Sequence, residues 1–269
     1  MEGYHLGEIS LRFATYNIWN DSGQKKRAAR ILKELYATRA DIVGLQEVTE
    51  NFYKDFLCSD TVFLHHIFFP YEGEDEGLAI ISKYPLEEVF FLHASSEFAR
   101  SNALNARFCI NGLRFSVTNV HLPWDSVRQQ EKQITAIDRY IHLQEDTADF
   151  YILLGDFNGN LNSSVHRYLI GGQTIDGMES HLYWDDLQSA YCARMGMSIT
   201  ATLDFIRNPR WRGKQNISIP MVADRIYVME SWEEIALKDF KIFGTEESVE
   251  NGLCASDHYG VAAELKFRK

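Results

Sequence analysis

Short apolar runs that stop abruptly at polar residues recur along this chain. Ile9 to Tyr16 alternates and meets Asn17, Ile42-Val43-Gly44-Leu45 meets Gln46-Glu47, Phe115 to Val120 meets His121, and Tyr151 to Leu154 meets Gly155-Asp156-Phe157-Asn158. Alternation and short apolar runs are strand signals, so each is predicted as a buried strand with a polar side chain at its end. Gly77 to Ser82, Leu86 to Leu92 and Leu104 to Ile110 also read as strands, the last forming a hairpin with Phe115 to Val120 around Asn111-Gly112. Two helical patterns interleave. After the capping pair Asp21-Ser22, residues Ala28, Ile31, Leu32, Leu35 and Tyr36 share one face; from Val127, so do Val127, Ile134, Ile137 and Ile141. Strands, hairpins and helices in this mixture predict layered sheets flanked by helices.

The 269 residues are 45% hydrophobic and 24% charged, which excludes collagen-like, disordered and disulfide-scaffold classes. No repeat, low-complexity stretch or Pro/Gly/Ser-rich linker divides the chain, so residues 1–269 are expected to form a single domain. Lys and Arg number 27 against 38 Asp and Glu, a formal net charge of -11, and strong attraction to duplex DNA or an anionic membrane is not expected. Neither a membrane-length apolar run nor a leader pattern at Met1-Glu2-Gly3-Tyr4-His5 is visible, so a cytoplasmic protein without integral membrane association is expected. Cys58, Cys109, Cys192 and Cys254 form no CxxC pair; buried, reduced thiols are expected, and zinc motifs are absent.

Asn17, Glu47, Asp156, Asn158, Asp224, Asp257, His121 and His258 form a set of oxygen and imidazole donors. Hard oxygen ligands without thiolate favour Mg²⁺, with Mn²⁺ as a substitute, and such ions suit phosphate ester hydrolysis. Each motif also has a plain structural reading. Glu47 can be a solvated strand end, Gly155 to Asn160 an Asx turn, Ser256-Asp257-His258 a loop, and His121 a hydrogen-bonded core histidine. If the segment is extended, the Asp-x-Asn spacing puts Asp156 and Asn158 on one face. The remaining histidines read as surface or packing residues.

In order and spacing, the words Ala14-Thr15-Tyr16-Asn17, Asp41 to Val48, Glu76-Gly77-Leu78-Ala79-Ile80 leading to Lys83-Tyr84-Pro85, Val120-His121-Leu122, Gly155-Asp156-Phe157-Asn158, Asp224-Arg225-Ile226 and Ser256 to Gly260 resemble the endonuclease/exonuclease/phosphatase superfamily, to which deoxyribonuclease I belongs. The resemblance runs from about Phe13 to Phe267. It implies a four-layered α/β sandwich of two packed, mostly antiparallel sheets flanked by helices, with the active site at one end of them. It also implies a metal site at Glu47 with Asn17 and Asp257, and Asp156 and Asn158 as the pair that positions or activates water and contacts the phosphate. His258 with Asp224 would be the catalytic dyad, His121 the second, phosphate-contacting histidine, and Glu76 its orienting carboxylate. Whether His258 or Asp156 is the general base stays open.

Arg100 falls where relatives often carry a phosphate-contacting arginine. The segment Arg207 to Lys214, with Arg210, Trp211 and Arg212, is the candidate substrate loop, since cations beside an aromatic suit a phosphorylated headgroup, sugar or base; the alternative is a solvated turn. The later half is most similar to the 5′-tyrosyl-DNA phosphodiesterase branch. Two departures stand out: Trp19 replaces an acidic metal contact and Leu203 replaces a substrate-wall tryptophan. The expected function is Mg²⁺-dependent hydrolysis of a phosphodiester or phosphomonoester by in-line attack of activated water, in a monomer whose substrate is a phosphorylated small molecule or a nucleic-acid end. The alternatives are a nonspecific nuclease, a DNA-adduct phosphodiesterase and, from another class, an inactive binding module.

Overall fold

A computed structural model of the chain describes residues 7–20, 25–93, 102–144, 147–181, 183–213, 217–229 and 234–269. Arg100 and Lys214 lie outside the described residues, as does the expected cap Asp21-Ser22.

The first sheet contains β1 (Glu8–Asn17), β2 (Ile42–Thr49), β3 (His65–Pro70), β4 (Glu76–Ser82), β11 (Glu234–Phe243) and β12 (Gly260–Arg268), in the order β11-β12-β1-β2-β4-β3. The second contains β5 (Glu88–His93), β6 (Asn102–Ile110), β7 (Leu113–His121), β8 (Phe150–Asp156), β9 (Trp184–Asp186) and β10 (Asp224–Met229), in the order β5-β6-β7-β8-β10-β9. Pairing is antiparallel except for β1 with β2 and β7 with β8. Helix α1 (Lys25–Thr38) connects the first parallel pair and α3 (Val127–Leu143) the second; among the described residues α2 (Glu50–Phe52), α4 (Ser164–Leu169) and α5 (Leu187–Met195) are the other α-helices. This is the expected α/β sandwich.

Three apolar cores follow from strand parity. Leu11 and Phe13 of β1, Phe115 and Val117 of β7, Ile152 and Leu154 of β8, and Ile226 and Val228 of β10 fill the space between the sheets. Ala14 and Tyr16 face the other way, with Ile31 and Leu35 of α1, while Leu153 and Tyr227 pack with Ile134, Ile137 and Ile141 of α3. The layers are therefore helix, sheet, sheet, helix. Replacing one of these fully buried isoleucines by alanine removes about 2–5 kcal/mol of stability.

Several expectations shift. Val127 is 62% exposed and Tyr36 38%, so neither joins its predicted buried face. The inner side of α3 instead carries Gln129, Gln130 and Gln133 beside its isoleucines, with Ser126 capping its N-terminus through a bond from the Gln129 N–H. Cys58 and Cys109 are exposed and only Cys192 and Cys254 are buried; Cys109 alternates outward between Phe108 and Ile110, which face the core. Beyond Asp156 the chain turns rather than extending. Asn158 has φ 45 and its N–H donates to Asp156 Oδ1 at 2.8 Å, so the pair is joined by a local turn and not by a shared strand face.

Candidate active site

Register brings the polar strand ends together. Asn17 lies opposite Gln46, His121 opposite Asp156, and Asp156 opposite Asp224, while Thr49 pairs with Glu76 and Thr15 with Val261 just past the Ser256-Asp257-His258 loop. The carboxyl ends of the two parallel pairs thus meet the starts of their antiparallel neighbours at one end of the sandwich. Parity aims the side chains. Asn17, Glu76, His121, Asp156 and Asp224 continue the rows of Phe13, Leu78, Val117, Leu154 and Ile226, so they point into the inter-sheet space where the apolar core ends.

Glu47 breaks that rule. Its neighbours Leu45 and Val48 both pack on the α1 side, the β2–β4 register shifts between them, and Glu47 itself has φ 54. A bulge with a left-handed residue re-aims one side chain at a cost of order 1–3 kcal/mol, and here it brings Glu47 to Asn17. Gly155 meets a harder demand. Its φ is 142, and a Cβ there would lie 2.0 Å from the Val120 carbonyl oxygen, so only glycine lets β8 run this close to β7 beside Asp156.

At the centre is the Asp156 carboxylate, fully buried. Its Oδ2 accepts from Asn17 Nδ2 at 3.0 Å and Asn158 Nδ2 at 3.4 Å, with His121 Nε2 at 3.6 Å and His258 Nε2 at 3.8 Å. Asn17 Nδ2 also donates to Glu47 Oε1 at 3.0 Å, which lies 3.9 Å from His121 Nε2. On the far side of His258, Nδ1 lies 2.9 Å from Asp224 Oδ2. Glu76 is buried at the start of β4, and its carbonyl accepts the N–H of Tyr71, whose ring centroid is 6.4 Å from that of His121.

Burial and neighbouring charges perturb Asp224, Asp257 and His258. Burial is the largest influence on Asp224 and Asp257 and holds both above the usual carboxylate range, reinforced by Asp156 and opposed by His258. For His258 burial works against the charged form, but the carboxylates of Asp224, Asp156 and Asp257 prevail and raise its pKa well above the usual imidazole value. The Asp224–His258 pair is therefore a stable proton holder with Nδ1 oriented by a carboxylate and Nε2 turned toward Asp156.

The donor chemistry fits a hard cation. Asp156, Asp224 and His258 can each offer one ligand atom within 4.8 Å of the others. His258 and Asp224 are already bonded to each other, whereas Glu47, 21% exposed, presents carboxylate oxygen beside Asp156. In the arrangement present, Asn17 bridges the two carboxylates through its amide nitrogen while its Oδ1 accepts the Trp19 N–H at 2.9 Å. A hard cation at this edge would draw on the oxygens of Glu47, Asn17 and Asp257, and would supply Lewis-acid polarisation of a phosphoryl oxygen.

The anticipated substrate loop bonds to the backbone of the loop that carries Asp257. Arg210 Nε donates to Cys254 O at 2.7 Å, and its guanidinium lies 4.7 Å from the Trp19 ring centroid. Trp211 Nε1 donates to Asp257 O at 3.2 Å, and Arg212 pairs with Glu247 at 2.9 Å. Trp19 is thus a packing residue between Arg210 and Arg27, and Leu203 is buried, bridged to Met221. The reading of residue types alone missed Thr202, whose Oγ1 accepts the Asp224 N–H at 2.9 Å, and Ser256, whose hydroxyl donates to Asn17 O at 2.7 Å. It also missed Asn208, Gln46 and Asn119, and Trp124, 74% exposed in the turn after His121. Asn208 lies in the Arg207 to Lys214 segment, and Gln46 and Ser256 lie inside the motif words, but no role was read for any of them.

A sandwich of this topology with paired carboxylates and histidines at one end defines a class. Residues 14–258 match the Endonuclease/Exonuclease/phosphatase family, and the chain belongs to it. Enzymes of this family generally depend on a divalent metal. The chain is 26% identical, over 97% of its length, to a candidate neutral sphingomyelinase of Drosophila melanogaster, of which it spans 62%. Among solved structures it is similar to D. rerio TDP2 complexed with a single-strand DNA product, with TM-score 0.72 and 18% identity over 95% of this chain and 98% of that one. It is also similar to Caenorhabditis elegans TDP2, with TM-score 0.71 and 19% identity over 97% of this chain and 75% of that one. A family protein of Bacteroides vulgatus gives TM-score 0.69 and 19% identity over 96% and 98%.

Proposed function

We propose that the chain is a Mg²⁺-dependent phosphoesterase that hydrolyses a phosphodiester or phosphomonoester by in-line attack of water, acting as a monomer with residues 1–269 as one domain. The observation that carries the reading is the buried Asp224–His258 dyad whose free imidazole nitrogen faces Asp156, itself held by Asn17 and Asn158. Asp156 and Asn158 orient the water, and His258, fixed by Asp224, holds or gives the proton at Nε2. His121 meets the developing negative charge on phosphate, and Glu76 supports that histidine. Glu47, Asn17 and Asp257 would hold the cation, which when bound polarises phosphoryl oxygen and steadies the leaving group.

A small or chain-end phosphoester is the substrate class supported best. Net charge -11 disfavours a duplex footprint. The D. rerio TDP2 complex with a single-strand DNA product and the Drosophila neutral sphingomyelinase relative point to different substrates, DNA and sphingomyelin. Trp19 and Leu203, both packed inward, argue against the first. The test is turnover with Mg²⁺ or with EDTA of bis-p-nitrophenyl phosphate, p-nitrophenyl phosphate, plasmid DNA, a 5′-tyrosyl oligonucleotide, sphingomyelin and inositol phosphates. Metal-dependent turnover of any of them supports the reading and names the class. Silence on all, by a folded protein, would favour the binding-module alternative.

A further inference from the structure

Within the loop that carries Asp257 and His258, the His258 N–H donates to Ser256 Oγ at 3.2 Å, and most of the remaining support comes from outside it. Its carbonyls are taken in turn by side chains from elsewhere: Cys254 O by Arg210 Nε at 2.7 Å, Ala255 O by Arg27 Nη1 at 3.0 Å, and Ser256 O and Asp257 O both by Asn208 Nδ2 at 3.0 Å. Trp211 Nε1 adds a second bond to Asp257 O, and Tyr259 N–H donates to Thr202 O at 2.8 Å. Asn208 is the point where these converge. It is fully buried, its N–H donates to Asp204 O, and its Oδ1 accepts the Arg210 N–H at 3.1 Å. One amide group therefore fixes two successive peptide planes, and those planes decide where the Asp257 carboxylate and the His258 ring point.

From this geometry we infer that Asn208 is a positioning residue for the hydrolysis: by holding the Ser256 and Asp257 carbonyls together it keeps His258 Nδ1 on Asp224 and Nε2 toward Asp156. The inference rests on the proposed reading of the active site. An amide is suited to the task because its two N–H donors meet two carbonyl acceptors while its oxygen receives a third partner. Aspartate, of equal size, would set a carboxylate against two carbonyl oxygens and must spread the loop. Alanine would leave both carbonyls buried without this donor.

The test compares wild type with Asn208→Ala and with Trp211→Phe, which removes only the indole N–H from Asp257 O and keeps an aromatic ring against Phe205. Tyr168→Phe serves as the control, since it removes a buried hydroxyl bonded to Asp138 in the α3 layer, away from the loop. Two readouts are taken on each folded protein: kcat and KM for bis-p-nitrophenyl phosphate with Mg²⁺, and the low-field proton resonance of the His258 Nδ1–H bonded to Asp224, assigned by its absence in His258→Ala. Loss of outer positioning bonds typically costs about 10- to 100-fold in activity. Asn208→Ala is expected to lower kcat by that factor with KM within about twofold, and to broaden or shift the resonance. Trp211→Phe should do the same to a smaller degree, and it alone carries the test if Asn208→Ala does not fold. The proposal is overturned if the folded loop variants keep the wild-type resonance, or if their kcat falls no further than that of Tyr168→Phe. If wild type turns over no ester, the reading of the site fails while the resonance still decides whether Asn208 positions His258.

Discussion

Asp224 Oδ2 lies 2.9 Å from His258 Nδ1, and that one contact sets what both residues can do. Replacing Asp224 by asparagine keeps the shape but removes the charge that favours the imidazolium, so hydrolysis of bis-p-nitrophenyl phosphate should fall by about 10²- to 10⁴-fold with little change in melting temperature. A second buried imidazole behaves in the opposite way. Burial, and then Arg225, lower the pKa of His166 to about 4 against the pull of Asp186, and its Nδ1 lies 2.9 Å from Tyr227 Oη. The unfolded chain takes this proton as pH falls through about 6.5, whereas the fold refuses it until about 4. Stability should therefore drop as pH is lowered across that interval, and urea unfolding of His166→Gln should show a shallower loss over the same range. An equal loss in both proteins would assign it elsewhere.

At the level of elements, the strand-end residues were legible because parity along β1, β7, β8 and β10 carries apolar rows inward and leaves Asn17, His121, Asp156 and Asp224 where the rows end. What stayed hidden shares a cause. Asn208 and Thr202 act through backbone carbonyls and N–H groups, which have no residue-type signature in the partner. The edge strands β3, β9 and β11 escaped notice because part of each faces solvent and the apolar alternation is blurred. Polar glutamines on the inner face of α3 hid its true stripe and drew Val127 into it. Close approach of β7 and β8 gives a sharp prediction. Gly155→Ala forces a Cβ against the Val120 carbonyl, so the variant should lose more than about 3 kcal/mol in urea unfolding or fail to accumulate folded protein. Near wild-type stability would show that the strands can separate there.

Across the whole molecule, two six-stranded sheets close around one apolar core and leave their acidic end groups crowded at one edge. Asp156, Asp224 and Asp257 are all buried there, with Glu47 beside them, so ligation of a divalent ion should stabilise the fold as well as the reaction. Ligand at a hundredfold excess over Kd adds about 2.7 kcal/mol. Melting temperature should rise with Mg²⁺, and the rise should shrink in Glu47→Ala; an equal rise in both would place the ion elsewhere. Among the described residues no helix is long and apolar enough to cross a membrane.

The most direct measurement is the kcat of wild type and His258→Ala on bis-p-nitrophenyl phosphate at saturating Mg²⁺, with circular dichroism confirming that both are folded. The account predicts turnover by wild type that EDTA abolishes and a loss of about 10²- to 10⁴-fold in the variant. Near-full activity of His258→Ala would contradict it and move the chemistry away from the Asp224–His258 pair.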